Sequence, residues 1–133
     1  MVDVAGATPV PVRLDAQRMH SFDMDALRSA IDDQTRIVVI NSPGNPTGGV
    51  MPNEHLEELA MLAKKHDFWI ISDEIYSQLM YTNERENDSS ISSPPYLSIA
   101  SLPGMEDRTV VVDGFSKSFC MTGWRLGLSL IHI

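Results

Sequence analysis

Short runs of apolar and β-branched residues, each ending at a polar or glycine-rich loop, limit the possible folds most strongly. They span residues 36–41 (RIVVIN), 68–72 (FWIIS) and 109–113 (TVVVD), and residues 125–130 are a candidate fourth strand. Runs of this kind are typical of strands buried on both faces, as in parallel sheets. Residues 53–67 have helical spacing of leucine and alanine, with acidic residues early and basic residues late. Strand, helix and strand in succession predict an α/β fold, a mainly parallel sheet flanked by helices.

Polar residues mark where the predicted helices begin. Residues 23–31 have apolar side chains at spacings of three and four, which predicts a helix. Either Ser21 or Asp23 is a candidate N-cap for it, and Asn53 is the candidate N-cap of the second helix. All three side chains carry an oxygen that accepts from a free backbone N–H.

Three further segments have weaker patterns. Residues 8–12 are a candidate strand, restricted to a sheet edge because their two prolines cannot donate to a neighbouring strand. Residues 82–95 are polar and then rich in serine and proline, which predicts a long surface loop. Residues 96–102 are a candidate for a short helical piece.

Charge and composition exclude several classes of protein. The chain has 18 acidic and 10 basic residues, a net charge of −8. A strongly acidic chain is a poor match for nucleic acid or for an anionic membrane surface. No apolar stretch approaches the roughly 18 residues of a membrane span. The single cysteine, Cys120, excludes an internal disulfide and favours a reducing compartment. These features predict a soluble, cytoplasmic domain.

Three loops follow the predicted strands, at residues 41–49 (NSPGNPTGG), 73–76 (DEIY) and 114–125 (GFSKSFCMTGWR). In open α/β sheets, ligands bind just beyond the carboxyl ends of the strands, so these loops are expected to converge on one site. The first loop has two X-Pro steps, and either one is a candidate for a cis peptide bond. A rigid turn of this kind would direct the amide of Asn45 into the crevice.

Taken singly, each loop also has a purely structural interpretation. The first loop's prolines and glycines are sufficient to make a turn. Asp73 or Glu74 is a candidate cap of the turn that follows the second strand. Lys117 and Arg125, taken alone, are typical solvated surface charges.

Together the three segments resemble the active-site motifs of the fold-type-I pyridoxal-phosphate (PLP) aminotransferases, class I/II, and are similar to aspartate aminotransferases. The resemblance runs from about Val4 to Gly127. Cys120 departs from the pattern, because the family usually has a smaller residue there. We expect Phe119, Met121 and Trp124 to pack around the turn that contains the lysine.

The resemblance implies roles for the catalytic residues. Lys117 matches the lysine that forms a Schiff base with PLP and then moves a proton between the substrate α-carbon and the cofactor. Asp73 matches the aspartate that pairs with the pyridine nitrogen and keeps it protonated. Asn45 and Tyr76 match the two groups that hold the ring oxygen O3′.

The resemblance also implies a phosphate site and a reaction. Arg125 matches the arginine that anchors the cofactor phosphate, and Ser116 is a further phosphate candidate. The implied activity is transamination between an L-amino acid, such as aspartate or an aromatic amino acid, and a 2-oxo acid. PLP is the implied cofactor, no metal is implied, and complete members are usually homodimers.

A complete member of this family is much longer than this chain. We therefore expect residues 1–127 to be part of the large, PLP-binding domain, and the isolated chain to be poorly soluble and catalytically inactive. Residues 128–133 (LSLIHI) look like the translation of a sequencing adapter, and we expect them not to be native. A genuine apolar terminal strand is the alternative.

Other functions share these motifs. A PLP-dependent C–S β-lyase would carry the same residues and would release pyruvate and ammonia. A transcription regulator with an aminotransferase-like sensor domain would also need a basic winged-helix segment. A non-catalytic remnant is disfavoured by the presence of Lys117, Asp73 and Arg125.

Overall fold

The computed structural model describes residues 2–18, 20–80 and 96–132, so the loop predicted at 82–95 lies outside the described residues. No helix in these ranges is long and apolar enough to cross a membrane. In chain order the strands and α-helices are β1 (Leu14–Asp15), β2 (Ser21–Phe22), α1 (Met24–Ala30), β3 (Ile37–Asn41), α2 (Asn53–His66), β4 (Trp69–Asp73), β5 (Thr109–Gly114) and β6 (Gly127–Ile131).

A four-stranded sheet in the order β3-β4-β5-β6 organises the chain. The β3/β4 and β4/β5 pairs are parallel, and β6 runs antiparallel to β5. The predicted α/β class with a mainly parallel sheet is therefore confirmed. Because β3, β4 and β5 are parallel neighbours, their carboxyl ends lie at one edge of the sheet, and we call this the site edge.

The core lies on one face of the sheet. Ile40 and Ile70 project from the strands into a buried cluster that includes Leu59 of α2 and Phe68. Alternate residues of β3 point the other way, and Ile37 and Val39 are 53% and 55% exposed. The expectation that this strand is buried on both faces is wrong, because α2 and the core cover only one face. The second face is apolar and open.

The helix starts differ in how well the sequence predicted them. Asp23 caps α1 as expected, since its Oδ1 accepts from the backbone N–H groups of Asp25 and Ala26 at 3.1 Å. Asn53 does not cap α2, because it is the first residue of the helix. Pro52 occupies the cap position, and its carbonyl accepts from the backbone N–H groups of His55 and Leu56 in the first turn, at 3.0 and 3.1 Å. Proline suits this position because its φ is fixed and it has no N–H.

The amino-terminal part forms a separate two-stranded hairpin. No strand forms over residues 8–12, and the first strand is β1, which pairs antiparallel with β2. Ser21 in β2 and His55 in α2 are both buried, and their Oγ and Nδ1 atoms lie 2.7 Å apart. This hydrogen bond ties the hairpin to α2. The helical piece expected at 96–102 is a 3-10 turn at Ile99–Ser101.

Candidate active site

The three loops singled out in the sequence meet at the site edge. The backbone N–H of Ser42 donates to the carbonyl of Asp73 at 3.3 Å, which joins the loop after β3 to the end of β4. The N–H of Glu74 donates to the carbonyl of Val112 at 2.8 Å, which joins the loop after β4 to β5. Backbone hydrogen bonds therefore join the first loop, the second loop and the end of β5 in sequence.

The first loop is closed by its own hydrogen bonds. Ser42 is buried, and its Oγ accepts from the N–H of Met51 at 2.9 Å, nine residues further along. Within that span the N–H of Gly44 donates to the carbonyl of Gly49 at 2.8 Å. A side chain at Gly44 would place its Cβ 3.2 Å from the carbonyl oxygen of Asn41, so this position favours glycine. Both X-Pro bonds, at Pro43 and Pro46, are cis.

Asn41 connects the first loop to the second. Its Oδ1 accepts from the backbone N–H of Asn45 at 3.0 Å, and its Nδ2 donates to the carbonyl of Asp73 at 3.2 Å. Sequence reasoning assigned Asn41 no role, because an asparagine at a strand end has many uses. Asn45 itself is exposed on the loop.

Asp73 ends β4 and is half-buried. Its Oδ1 accepts from the backbone N–H of Ile75 at 3.2 Å, which is the turn-capping contact considered for it from sequence. Asp73 is also the register partner of Asn41 across the β3/β4 pair, so the two residues lie side by side on the open face.

Glu74, considered from sequence only as a candidate turn cap, joins two segments of the chain. Its side chain is buried, and its Oε1 accepts from the hydroxyls of Ser72 at 2.9 Å and Ser98 at 2.7 Å. These bonds connect the end of β4 to the segment that precedes the 3-10 turn at Ile99–Ser101.

Burial raises the pKa of the Tyr96 hydroxyl, and the neighbouring Glu74 carboxylate raises it further. Tyr96 therefore stays protonated beside this carboxylate at neutral pH.

Lys117 brings the third loop over the second. Its Nζ lies 5.7 Å from the ring centroid of Tyr76, within the range of a cation–π contact. Tyr76 is half-buried and Lys117 is exposed. Two of the predicted catalytic residues are thus adjacent in space, although 41 positions separate them in the chain.

The predicted phosphate ligands lie further along the third loop. Arg125 is exposed, and its Nη1 donates to the carbonyl of Thr122 at 3.2 Å. Among the described residues, no hydrogen bond or ion pair joins Arg125 to Lys117 or Asp73. Ser116 is half-buried, one residue before the lysine. The structure therefore places both residues on the loop that carries Lys117, without bringing Arg125 into contact with the other site residues.

Aromatic residues of the third loop are less packed than expected. Trp124 is 70% exposed, so the expectation that it packs around the turn is wrong. Phe119 is 64% exposed, but its ring lies 5.5 Å from that of Phe115 in the same loop, and Met121 is half-buried. The physical reason for this exposure is that the open side of the loop has no neighbouring element in the described chain.

Cys120 and Arg125 both adopt left-handed backbone angles, with φ near 54° and 55°. Strained residues of this kind are concentrated at functional sites.

A cleft of about 870 Å³ opens beside the first and second loops. Asn45 and Tyr76 line it, together with Tyr96 and the first residues of α2. Asp73, Lys117 and Arg125 do not line it. These three charged groups lie at the site edge, outside the cleft, so the converging loops and not the cleft hold the titratable groups.

The site residues offer a specific set of chemical groups. Lys117 and Arg125 are cations in a chain of net charge −8, and Asp73 supplies a carboxylate. Hydroxyls and an amide come from Ser116, Tyr76 and Asn45. The two cations suit an oxyanion, the carboxylate suits a protonated nitrogen, and the hydroxyls and amide suit further polar atoms of a ligand.

Comparison with known proteins agrees with this geometry. The sequence profile described as aminotransferase class I and II matches residues 1–132. The putative aminotransferase YugH of Bacillus subtilis is 43% identical over 129 residues, which cover 97% of this chain and 31% of that protein. Aspartate aminotransferase of Pyrococcus abyssi is 42% identical, over 95% of this chain and 30% of its own length.

Solved structures show the same relationship. The aromatic aminotransferase of Pyrococcus horikoshii superimposes with a TM-score of 0.85 at 42% identity, covering 98% of this chain and 32% of that structure. The chain thus spans just under a third of the length of the relatives it matches. Since the family profile matches almost every residue, this chain belongs to the aminotransferase class I and II family.

Proposed function

We propose that this chain carries the central part of the PLP site of a transaminase, an enzyme that moves an amino group from an L-amino acid to a 2-oxo acid. PLP is the cofactor of class I and II aminotransferases. The observation that carries the proposal is the convergence of three loops at the site edge, with the Lys117 amine above the ring of Tyr76.

The side chains at the site edge fit PLP. The amine of Lys117 suits an aldehyde, with which it can form a Schiff base, and the guanidinium of Arg125 suits a phosphate that needs a forked donor. Asp73 offers a carboxylate suited to a protonated ring nitrogen, and Asn45 and Tyr76 offer donors for the ring oxygen. When bound, PLP supplies an electron sink that stabilises negative charge on the substrate α-carbon.

Each residue has a role that its own chemistry can perform. Lys117 would hold the cofactor through its Nζ and, when free of it, would take and return the proton of the substrate α-carbon. Tyr76, whose ring lies 5.7 Å from that Nζ, would orient the amine. Arg125, with Ser116 as a second donor, would hold the phosphate. The Asp73 carboxylate would favour the protonated form of the ring nitrogen.

The substrates and the assembly are finer proposals. Aspartate or an aromatic amino acid, with 2-oxoglutarate, is the proposed pair, and the relatives' names include aspartate and aromatic-amino-acid aminotransferases. For the whole protein we propose a homodimer in the cytoplasm. For the isolated chain we propose that it does not catalyse transamination, because it spans just under a third of its relatives.

We further propose that residues 1–127 form part of the large, PLP-binding domain. The proposal for residues 128–133, that they are not native, is tested by sequencing the source DNA across this end. A reading frame that diverges after Gly127 supports it. A frame that encodes Leu128 to Ile133 refutes it.

Covalent labelling tests the assignment of the cofactor lysine. The chain is mixed with PLP, treated with borohydride to make the attachment permanent, digested, and mapped by mass spectrometry. We expect the label on Lys117. The matched control is Lys65→Ala, which removes an exposed lysine in the last turn of α2.

The outcomes separate specific from random attachment. The Lys117→Ala variant is expected to lose the label, and Lys65→Ala is expected to keep it. Label spread evenly over exposed lysines, or retained in Lys117→Ala, contradicts the assignment of Lys117. Portions of the same samples taken before the borohydride step, assayed for conversion of aspartate and 2-oxoglutarate, are expected to give no product above the PLP-only blank.

A further inference from the structure

One side chain at the site edge contacts two of the proposed cofactor ligands at once. The Nδ2 of Asn41 donates to the carbonyl of Asp73 at 3.2 Å, and its Oδ1 accepts from the backbone N–H of Asn45 at 3.0 Å. Asp73 and Asn45 lie on different loops, after different strands. Among residues 2–18, 20–80 and 96–132, the side chain of Asn41 makes the hydrogen bond that joins these two loops.

The orientation of this amide follows from its partners. A carbonyl oxygen only accepts and a backbone N–H only donates, so the Nδ2 end of Asn41 faces Asp73 and the Oδ1 end faces Asn45. No other side chain of similar size makes both contacts. Aspartate only accepts when ionised, and leucine makes neither bond.

The contacts of Asn41 exceed those of an ordinary turn. An Asx turn joins the side chain to the backbone about two residues further on, within one loop. Here one bond spans four residues, and the other crosses to the neighbouring strand, 32 residues further along. The cross-strand bond supplements the N–H of Ser42, which donates to the same carbonyl.

From this geometry we propose that Asn41 is a positioning residue, whose amide sets the distance between the Asn45 side chain and the Asp73 carboxylate. It touches neither the cofactor nor the substrate. The inference rests on the proposed function, because positioning matters only if Asn45 and Asp73 hold the PLP ring. Without the amide, each loop keeps its fold but the two are no longer fixed relative to each other.

The test compares PLP binding by four versions of the 133-residue chain: wild type, Asn41→Leu, Asn41→Asp and Gln34→Ala. Gln34 is an exposed amide side chain near the opposite end of β3, so its variant is the matched control. Three quantities are measured: the PLP dissociation constant, the pH midpoint of the absorbance band of protein-bound PLP, and the hydrogen-exchange protection of the Asn45 amide.

Asn41→Leu removes two hydrogen bonds of ordinary strength, so it is expected to weaken PLP binding about tenfold. It is also expected to shift the pH midpoint and to remove the Asn45 protection. Asn41→Asp keeps the acceptor, so it is expected to keep the Asn45 protection while losing affinity. That variant is a check that the chain still folds. Gln34→Ala is expected to match wild type in all three measurements.

The failures of the two proposals are distinguishable. If wild type binds PLP at Lys117, and Asn41→Leu has the same dissociation constant and pH midpoint, the positioning role is overturned while the proposed function stands. If wild type does not attach PLP at Lys117, the proposed function is overturned and the positioning role with it.

Discussion

A single hydroxyl is expected to control the stability of the loop that carries Asn45. Ser42→Ala removes the acceptor of the Met51 N–H, and both residues are buried, at 6% and 7% exposure. A buried donor left without a partner costs about 1–3 kcal/mol. Water replaces the lost acceptor poorly at this depth. The free energy of unfolding is therefore expected to fall by about 1–3 kcal/mol in Ser42→Ala.

The same loop contains a matched control. Thr47 Oγ1 accepts from the N–H of Gly49 at 3.2 Å, but this contact is exposed, so water can replace it. Thr47→Ala is expected to change the free energy of unfolding by less than about 0.5 kcal/mol. The two variants remove the same kind of bond in one loop and differ in burial.

Urea unfolding measures this difference. With a slope of about 2 kcal/mol per molar urea, Ser42→Ala is expected to lower the midpoint by about 0.5–1.5 M, and Thr47→Ala by less than about 0.3 M. Hydrogen exchange at the Met51 amide is expected to speed up only in Ser42→Ala. Equal midpoint shifts in the two variants would refute the reasoning, because burial would then not determine the cost.

Three further predictions concern stability. Burial raises the pKa of Tyr96 above its ordinary value of 10.0, so its contribution to the free energy of unfolding is present below pH 10.0 and is lost as the pH rises above that value. Urea unfolding at a series of alkaline pH values is expected to show a smaller loss of stability in Tyr96→Phe than in wild type, and an equal loss contradicts the raised pKa. A hydrogen bond from Arg28 lowers the pKa of Glu58, so wild type has a small stabilisation that is present above pH 4.5 and is lost as the pH falls through the lowered pKa. Glu58→Gln is expected to lack this stabilisation, which unfolding measured at a series of acid pH values will show. In urea unfolding, Leu59→Ala in the core is expected to lower the free energy of unfolding by about 2–5 kcal/mol, and Met61→Ala on the exposed side of α2 is expected to change it by less than about 0.5 kcal/mol. Similar losses of stability in the two variants contradict the described core.

The sequence was sufficient to predict the sheet and the position of the three loops. Residues 36–41 and 109–113 are rich in β-branched residues, and each is followed by a loop that contains glycine, so both the strand and its end are encoded locally. The parallel pairing followed from the helix between the first two strands. The convergence of the loops then followed from strand direction alone.

Other features depended on packing that one sequence does not reveal. The open face of β3 could not be predicted, because apolar residues such as Ile37 and Val39 give the same sequence pattern whether or not another element covers them. Asn41 was not assigned a role, and Glu74 was considered only as a turn cap, because their partners, such as Asp73 and Ser98, come from other segments. The cap of α2 was misassigned because Asn53 is a strong cap residue and the adjacent Pro52 is also compatible with a helix start.

The antiparallel direction of β6 has a practical consequence for handling this chain. Gly127 pairs with Gly114 at the site edge, and Ile131 pairs with Val110 toward the opposite edge. At about 3.3 Å per residue, the strand carries the backbone some 13 Å away from the loops. An affinity tag, fluorophore or surface linker attached beyond residue 132 would therefore project away from Lys117. Immobilised preparations joined through that end are expected to present the cofactor loops to solution without obstruction.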